Sequence, residues 1–126
     1  RNIHRIIDLA EHHSVRPILV TQPVMWKSGL SKELENLLWF GWFEDPDTGK
    51  SVGYYSVEAL ETAIKMYHET LRNICQTRGV EYLDLASLLP KDTSVFYDDC
   101  HFNESGAKKV AHLMSDYLSK EPPFIS

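Results

Sequence analysis

The sequence has 126 residues, of which 43% are hydrophobic and 25% charged, as is typical of a single globular domain. Its formal net charge of -5, without a local cluster of lysine and arginine, argues against general binding to nucleic acid or anionic membranes. No apolar run approaches a membrane span and no secretory signal is visible, although the chain begins at Arg1, so compartment and oligomeric state stay open. Cys75 and Cys100 do not make a disulfide framework, and we expect free thiols.

The first elements along the chain are predicted to be a helix and a strand. Residues 17–21 form a short, continuous run of branched apolar side chains, which is typical of a strand buried on both faces of a parallel sheet. Gln22-Pro23 ends this run, because proline cannot donate to a ladder. The helix is predicted over residues 2–13, where apolar side chains recur at helical spacing at Ile3, Ile6, Ile7 and Ala10.

Residues 24–56 form a long insertion before the next helix. Ser31 could cap a short helix there, and residues 44–50 have the composition of a turn. Long insertions are often lids or binding loops. Its aromatic residues could line an acyl or aromatic substrate pocket, pin the insertion to the sheet edge, or meet a partner. These residues are Trp26, Trp39, Phe40, Trp42 and Phe43.

The second half of the chain predicts a helix, a strand, a loop and a last helix. Ser56 suits the N-cap of the first of these helices, and Gly79 suits its left-handed end. Residues 80–85 read as the second strand, and the last helix runs from near Asn103 to Pro122-Pro123. The predicted apolar stripes of the two helices are Leu60, Ile64, Tyr67, Leu71 and Ile74, and then Ala107, Val110, Ala111, Met114 and Leu118.

Strands that alternate with helices indicate an α/β fold with a parallel sheet. Two parallel strands alone would each keep an unpaired edge, and the helices would lack a sheet to cover. The element count therefore predicts the second part of a larger sheet. In such folds ligands bind at the carboxyl ends of the strands, where the loops near Gln22 and His101 are expected to lie.

The residues with the clearest chemistry lie between Asp98 and Gly106, in the sequence Asp-Asp-Cys-His-Phe-Asn-Glu-Ser-Gly. Asp98 precedes His101 by three residues, so one short loop can bring the carboxylate to the imidazole. Such a pair fixes the tautomer of the ring and stabilises its charged form. On bare spacing, the simpler interpretation is a solvated acidic turn followed by a helix-capping asparagine.

In its setting before the last helix, this block resembles the D-x-x-H motif of the SGNH, or GDSL-type, hydrolases, which commonly continues as H-x-N-x-x-G. The segments at residues 20–23 and 80–85 are similar to strand segments of the same family. The resemblance implies a flavodoxin-like three-layer α/β/α fold with a parallel sheet, of which residues 1–126 supply the C-terminal strands and helices. It implies a serine ester hydrolase for acetyl, short-acyl or lipid esters, with no metal or organic cofactor. His101 would be the general base and Asp98 its carboxylate partner.

The family's other catalytic elements are absent from the sequence. It contains neither a Gly-Asp-Ser motif nor the Gly-x-Asn-Asp pattern of an oxyanion hole. The resemblance therefore implies that an N-terminal segment of the same domain supplies the nucleophile. We expect the chain alone to lack acyl-transfer activity.

Four alternatives remain open. Asp99 is a rival acid for His101, and Cys100 is a rival nucleophile. A metal could bind Asp98, Asp99, His101 and Glu104, in which case a chelator would lower stability or activity. The chain could also be a non-catalytic α/β binding or interaction domain that uses the aromatic insertion. His68 and His112 are expected to be surface or hydrogen-bonded histidines.

Overall fold

The computed structural model describes residues 2–120 and has mixed α/β architecture. The predicted end of the last helix at Pro122-Pro123 lies outside the described residues. The helices and strands are, in chain order, α1 Asn2–His12, β1 Ile18–Val20, α2 Lys32–Glu35, β2 Trp42–Glu44, β3 Ser51–Tyr54, α3 Val57–Arg78, β4 Glu81–Leu83 and α4 Glu104–Lys120.

Strands β1 and β4 form the predicted parallel sheet. Ile18 lies opposite Glu81 and Val20 opposite Leu83. The connection between these strands runs through the insertion and α3, as in a βαβ unit. The prediction of an α/β fold is therefore confirmed as far as mixed α/β architecture with a short parallel sheet.

The burial predicted for β1 is wrong. Its three residues are half-buried rather than enclosed on both faces. The described sheet has two strands, which is too small a platform for helices to cover both faces. Helix α1 also has too little surface to pack against within residues 2–120. Its Ile7 is fully buried, but Ile6 is 59% exposed and Leu9 is also exposed.

Helix α3 has the predicted ends. The Ser56 hydroxyl accepts a hydrogen bond from Ala59 N at 3.2 Å, and Gly79 has a left-handed φ of 66°. The predicted stripe is correct at Leu60 and Leu71 but wrong at Tyr67, which is 49% exposed.

Helix α4 is rotated relative to its predicted face. Ala107 and Ala111 are exposed, whereas Val110 and Met114 pack against the core as expected. The reason is the close packing of Gly106, which sets the line of core contacts. Leu113 and Tyr117 continue that line, at helical spacings from the glycine.

The insertion contains an antiparallel hairpin, β2–β3, that the sequence did not predict. Its turn lies at the predicted position, where the Asp45 carboxylate accepts hydrogen bonds from Asp47 N and Thr48 N, both at 2.9 Å. Ser31 caps α2 through a 3.4 Å bond from Leu34 N, as expected, but α2 is only one turn long.

The main hydrophobic core lies beneath the loop that carries His101. It joins strand β4 to the start of the insertion and to the residues just before that loop. The buried core residues are Met25, Leu30, Leu83, Leu85, Leu89, Val95 and Phe96.

No helix within residues 2–120 combines the length and the apolar character needed to cross a membrane.

Candidate active site

The loop before α4 is closed by backbone and side-chain hydrogen bonds at its base. Asn103 N donates to Val95 O at 2.9 Å, and Tyr97 N donates to His101 O at 3.2 Å. The Asn103 side chain caps α4, because its Oδ1 accepts from Gly106 N at 2.8 Å. Its Nδ2 donates to Thr93 O at 2.7 Å, so one side chain ties the helix start to the preceding loop.

Gly106 is required by packing rather than by its backbone angles. An added Cβ would lie 2.0 Å from Val95 O and 2.9 Å from Val95 C. Both are backbone atoms that cannot rotate away. The glycine thus lets the first turn of α4 lie directly against the turn that contains Val95, just before the loop, and this contact holds His101 at the helix N-terminus.

The predicted contact between Asp98 and His101 is present. Asp98 Oδ2 lies 2.8 Å from His101 Nδ1, and Asp98 Oδ1 accepts from the backbone N–H groups of Cys100 at 2.9 Å and His101 at 2.8 Å. A carboxylate only accepts hydrogen bonds, so Nδ1 carries the proton and Nε2 of the neutral ring is the acceptor. Nε2 has no hydrogen-bond partner in the part of the chain that the structure describes, and the imidazole side chain is 49% exposed.

The environment of Asp98 favours its ionised form. Burial acts to raise its pKa, but the N–H groups of Cys100 and His101 and the imidazole together outweigh burial and lower the pKa below 3.8. The ionised carboxylate therefore stabilises the fold at pH values above its ordinary pKa, and this stabilisation is lost as the pH falls through the lowered pKa. At neutral pH the imidazole faces a negative charge.

Asp99, the rival acid, points away from His101. It is 0% exposed, and its carboxylate accepts hydrogen bonds from Trp26 Nε1 at 2.9 Å, Trp39 N at 3.2 Å and Phe40 N at 3.1 Å. The two neighbouring carboxylates thus have different partners. Asp98 bonds to the imidazole, and Asp99 bonds to the insertion.

Two aromatic rings lie beside the imidazole. The Trp39 ring centroid is 5.5 Å from that of His101, and the Tyr97 ring stacks on it at 5.7 Å with an interplanar angle of 9°. Trp26 is buried and pins the insertion, as one of the three interpretations expected. The side chains of Trp39, Phe40, Trp42 and Phe43 remain exposed.

A second link fastens the insertion to α3. The Ser28 backbone N–H donates to Glu61 Oε2 at 2.8 Å, the Ser28 hydroxyl bonds to the same oxygen, and Lys65 Nζ lies 2.6 Å from Glu61 Oε1. The Lys65 ammonium and the Ser28 hydroxyl and N–H together lower the pKa of Glu61 to about 2. The first part of the insertion is thus tied to the domain at both Glu61 and Asp99.

Cys100 is poorly suited to be the nucleophile. Burial, followed by the negative charges of Asp99 and Asp98, raises the pKa of its thiol to about 11. At neutral pH it is protonated, and the thiolate is the reactive form. Its Sγ lies 3.5 Å from His101 Nδ1, which is the ring atom already bonded to Asp98.

The proposed metal ligands are not brought together. Asp99 bonds to the insertion and Glu104 pairs with Lys108 at 2.7 Å. Asp98, Cys100 and His101 do place one ligand atom each within 4.8 Å of one another. The Asp98 carboxylate already accepts hydrogen bonds from the N–H groups of Cys100 and His101 and from the imidazole, so this arrangement fits a hydrogen-bonded pair better than a cation site.

His68 and His112 lie where the sequence led us to expect them. His68 Nε2 lies 3.0 Å from Gln22 O, and burial lowers the pKa of its imidazole. His112 is exposed on α4. No serine hydroxyl within residues 2–120 hydrogen-bonds to His101. The sequence placed Trp39 in the aromatic insertion, with a pocket, the sheet edge or a partner as its possible contacts, but it did not indicate that Asp99 holds the insertion at this loop.

Comparison of the chain with protein-family models, with curated proteins and with solved structures finds no match. Its function must therefore be inferred from the residues of this loop and from the elements that hold it.

Proposed function

We propose that the chain is the C-terminal part of a serine ester hydrolase of the SGNH type, with His101 as general base and Asp98 as its carboxylate partner. The observation that carries the proposal is the 2.8 Å contact between Asp98 Oδ2 and His101 Nδ1, with Asp98 Oδ1 fixed by two backbone N–H groups. The half-exposed ring then offers Nε2 as a proton acceptor beside solvent.

In this mechanism Nε2 of His101 takes the proton of a serine hydroxyl as the serine oxygen attacks the ester carbonyl. The tetrahedral intermediate collapses to an acyl-serine, and Nε2 returns the proton to the departing alcohol oxygen. Water then attacks the acyl group with His101 again as base, and the proton passes to serine as the acid is released. Asp98 stabilises the imidazolium that forms in each half-reaction. Acetyl, short-acyl and lipid esters are the proposed substrates.

The serine and its oxyanion hole are proposed to come from an N-terminal segment of the same domain. Supporting this are the outer edge of β1, which no strand within residues 2–120 pairs with, and the exposed Ile6 and Leu9 of α1. A flavodoxin-like three-layer α/β/α fold would cover them with further strands and helices. No resident cofactor enters the mechanism, and its partners are a small-molecule ester and that N-terminal segment.

Replacing Asp98 with asparagine tests the pair. The amide would present an N–H group to Nδ1, favour the tautomer with a proton on Nε2, and lower kcat of the intact protein by about 10⁴-fold. Hydrolysis of p-nitrophenyl acetate and butyrate is the measurement. Asp116→Asn, at an exposed position on α4, is the matched control and should leave kcat unchanged. Equal kcat values for the Asp98→Asn and wild-type proteins would refute the proposal.

The exposed aromatic side chains favour a second candidate, a non-catalytic domain that binds a partner through the hairpin. Trp42 and Phe43 on β2 and Tyr54 on β3 are exposed together, as in many binding surfaces. The residues that precede position 1 in the intact protein distinguish the two. A Gly-Asp-Ser-like strand end supports the hydrolase, and its absence supports the binding domain.

A further inference from the structure

We propose that Asp99 is a positioning residue that holds Trp39 against the imidazole of His101 and so makes the insertion one wall of the substrate site. The effect on turnover rests on the proposed function, whereas the placement of Trp39 does not. The sequence offered Asp99 as a competitor of Asp98 for the imidazole and as a candidate metal ligand, but not as a link to the insertion.

The carboxylate of Asp99 has an unusual set of partners. It is completely buried, and no salt bridge within residues 2–120 involves it. Its charge is instead met by N–H donors from residues far away in sequence, namely the Trp26 indole and the backbone of Trp39 and Phe40. Burying a carboxylate is costly unless such donors satisfy it. The backbone of Asp99 joins the same link, because its carbonyl accepts from Met25 N at 2.8 Å.

These bonds fix Trp39 at the catalytic loop. Trp39 N donates directly to Asp99 Oδ1, and its indole lies 5.5 Å from the His101 ring. Asp98, one residue earlier, bonds to the imidazole of His101, which is the other ring of this contact. A single dipeptide therefore sets both the orientation of the base and the position of the ring beside it. Phe40 continues the wall, stacked on buried Trp26 at 6.1 Å.

Asp99→Asn tests the assignment. An amide has one accepting oxygen, so its NH₂ group must oppose one of the N–H donors of Trp26, Trp39 or Phe40. We expect the backbone at Trp39 to move away from the loop. In the double variant Trp26→Phe/Asp99→Asn the opposing indole donor is gone. The amide oxygen can then accept from the backbone N–H groups of Trp39 and Phe40, and Trp39 should again lie beside His101.

Tryptophan fluorescence reads the position of Trp39 without any enzyme assay, since a protonated imidazole quenches a neighbouring indole. In the intact protein, emission should fall as His101 is protonated, and this step should vanish in His101→Gln and in Trp39→Phe. Asp99→Asn should lose at least half of the step. The double variant should show the step again, with the same size as in Trp26→Phe alone.

Kinetics supply the second readout. Because Asp99 touches neither the base nor the substrate, Asp99→Asn should raise KM about tenfold and change kcat by less than about threefold.

An unchanged fluorescence step in Asp99→Asn would overturn the positioning role, and so would a double variant that shows no recovery. If the wild-type protein hydrolyses no ester, the proposed function fails while the fluorescence titration still decides the role of Asp99. Should Asp99→Asn not fold, the comparison of the double variant with Trp26→Phe decides instead: the two should show the same fluorescence step, and a step less than half as large in the double variant would overturn the positioning role.

Discussion

Replacing His101 with alanine is expected to lower kcat/KM of the intact protein for ester substrates by about 10⁴- to 10⁶-fold. The imidazole is the proposed base of both half-reactions, and no second group within residues 2–120 is placed to substitute for it. The Cys100 thiol lies 3.5 Å from His101 Nδ1, but with a pKa of about 11 it stays protonated at neutral pH and cannot act as a base. Steady-state hydrolysis of short acyl esters is the measurement.

The control for this substitution is His112→Ala. His112 is also a histidine, exposed on α4, and its removal should leave turnover within about twofold because it belongs to no catalytic contact. Circular dichroism should show the same helix content for both variants. Turnover that survives in His101→Ala would mean that the Asp98–His101 contact is only a structural turn.

Replacing Gly106 with alanine is expected to destabilise the fold by about 3 kcal/mol. The new methyl group would sit 2.0 Å from Val95 O, so either α4 or the segment before the loop must shift. A shift would also break the bond between Asn103 N and Val95 O, which closes the base of the His101 loop. The loss is expected despite helix propensity, which alone favours alanine over glycine in a helix by about 1 kcal/mol.

Urea denaturation of the intact protein measures this loss. Ser105→Ala, at the neighbouring exposed position, is the matched control and should change the free energy of unfolding by less than about 0.5 kcal/mol. A Gly106→Ala protein as stable as the wild type would show that α4 does not pack on Val95 as described.

Local contacts are the part of the site that the sequence could predict. Asp98 and His101 are three residues apart, so their contact needs only a tight turn. Asn103 is predictable as a cap for the same reason, since its bond to Gly106 N is also local. The steric need for glycine at position 106 could not be predicted, because it depends on an approach to Val95 that a sequence pattern does not reveal.

Contacts across the insertion are the part that could not be predicted. Asp99 meets Trp26 and Trp39 over separations of 73 and 60 residues, and the path of the chain between them follows no periodic pattern. The β2–β3 hairpin escapes prediction because the β2 side chains are all exposed, so no alternation of apolar and polar residues marks it.

Errors in burial have one physical source. Apolar spacing indicates which face of a helix or strand is suited to burial, but actual burial depends on what lies opposite. Ile6 and the residues of β1 have the pattern of core positions and little to cover them within residues 2–120. Ala107 and Ala111 are predicted on the core face of α4, whereas the contact of Gly106 with Val95 turns that face by about one position.

Reaction of the intact protein with a fluorophosphonate tests the proposed serine mechanism most directly, because a serine oxygen made nucleophilic by a neighbouring base displaces its fluoride and becomes phosphonylated. Peptide mapping by mass spectrometry then identifies the labelled residue. The mechanism predicts one labelled serine, outside residues 1–126, and a labelling rate at least about 10³-fold lower in His101→Ala. Labelling that is indifferent to His101, or an intact protein that takes no label, would contradict it.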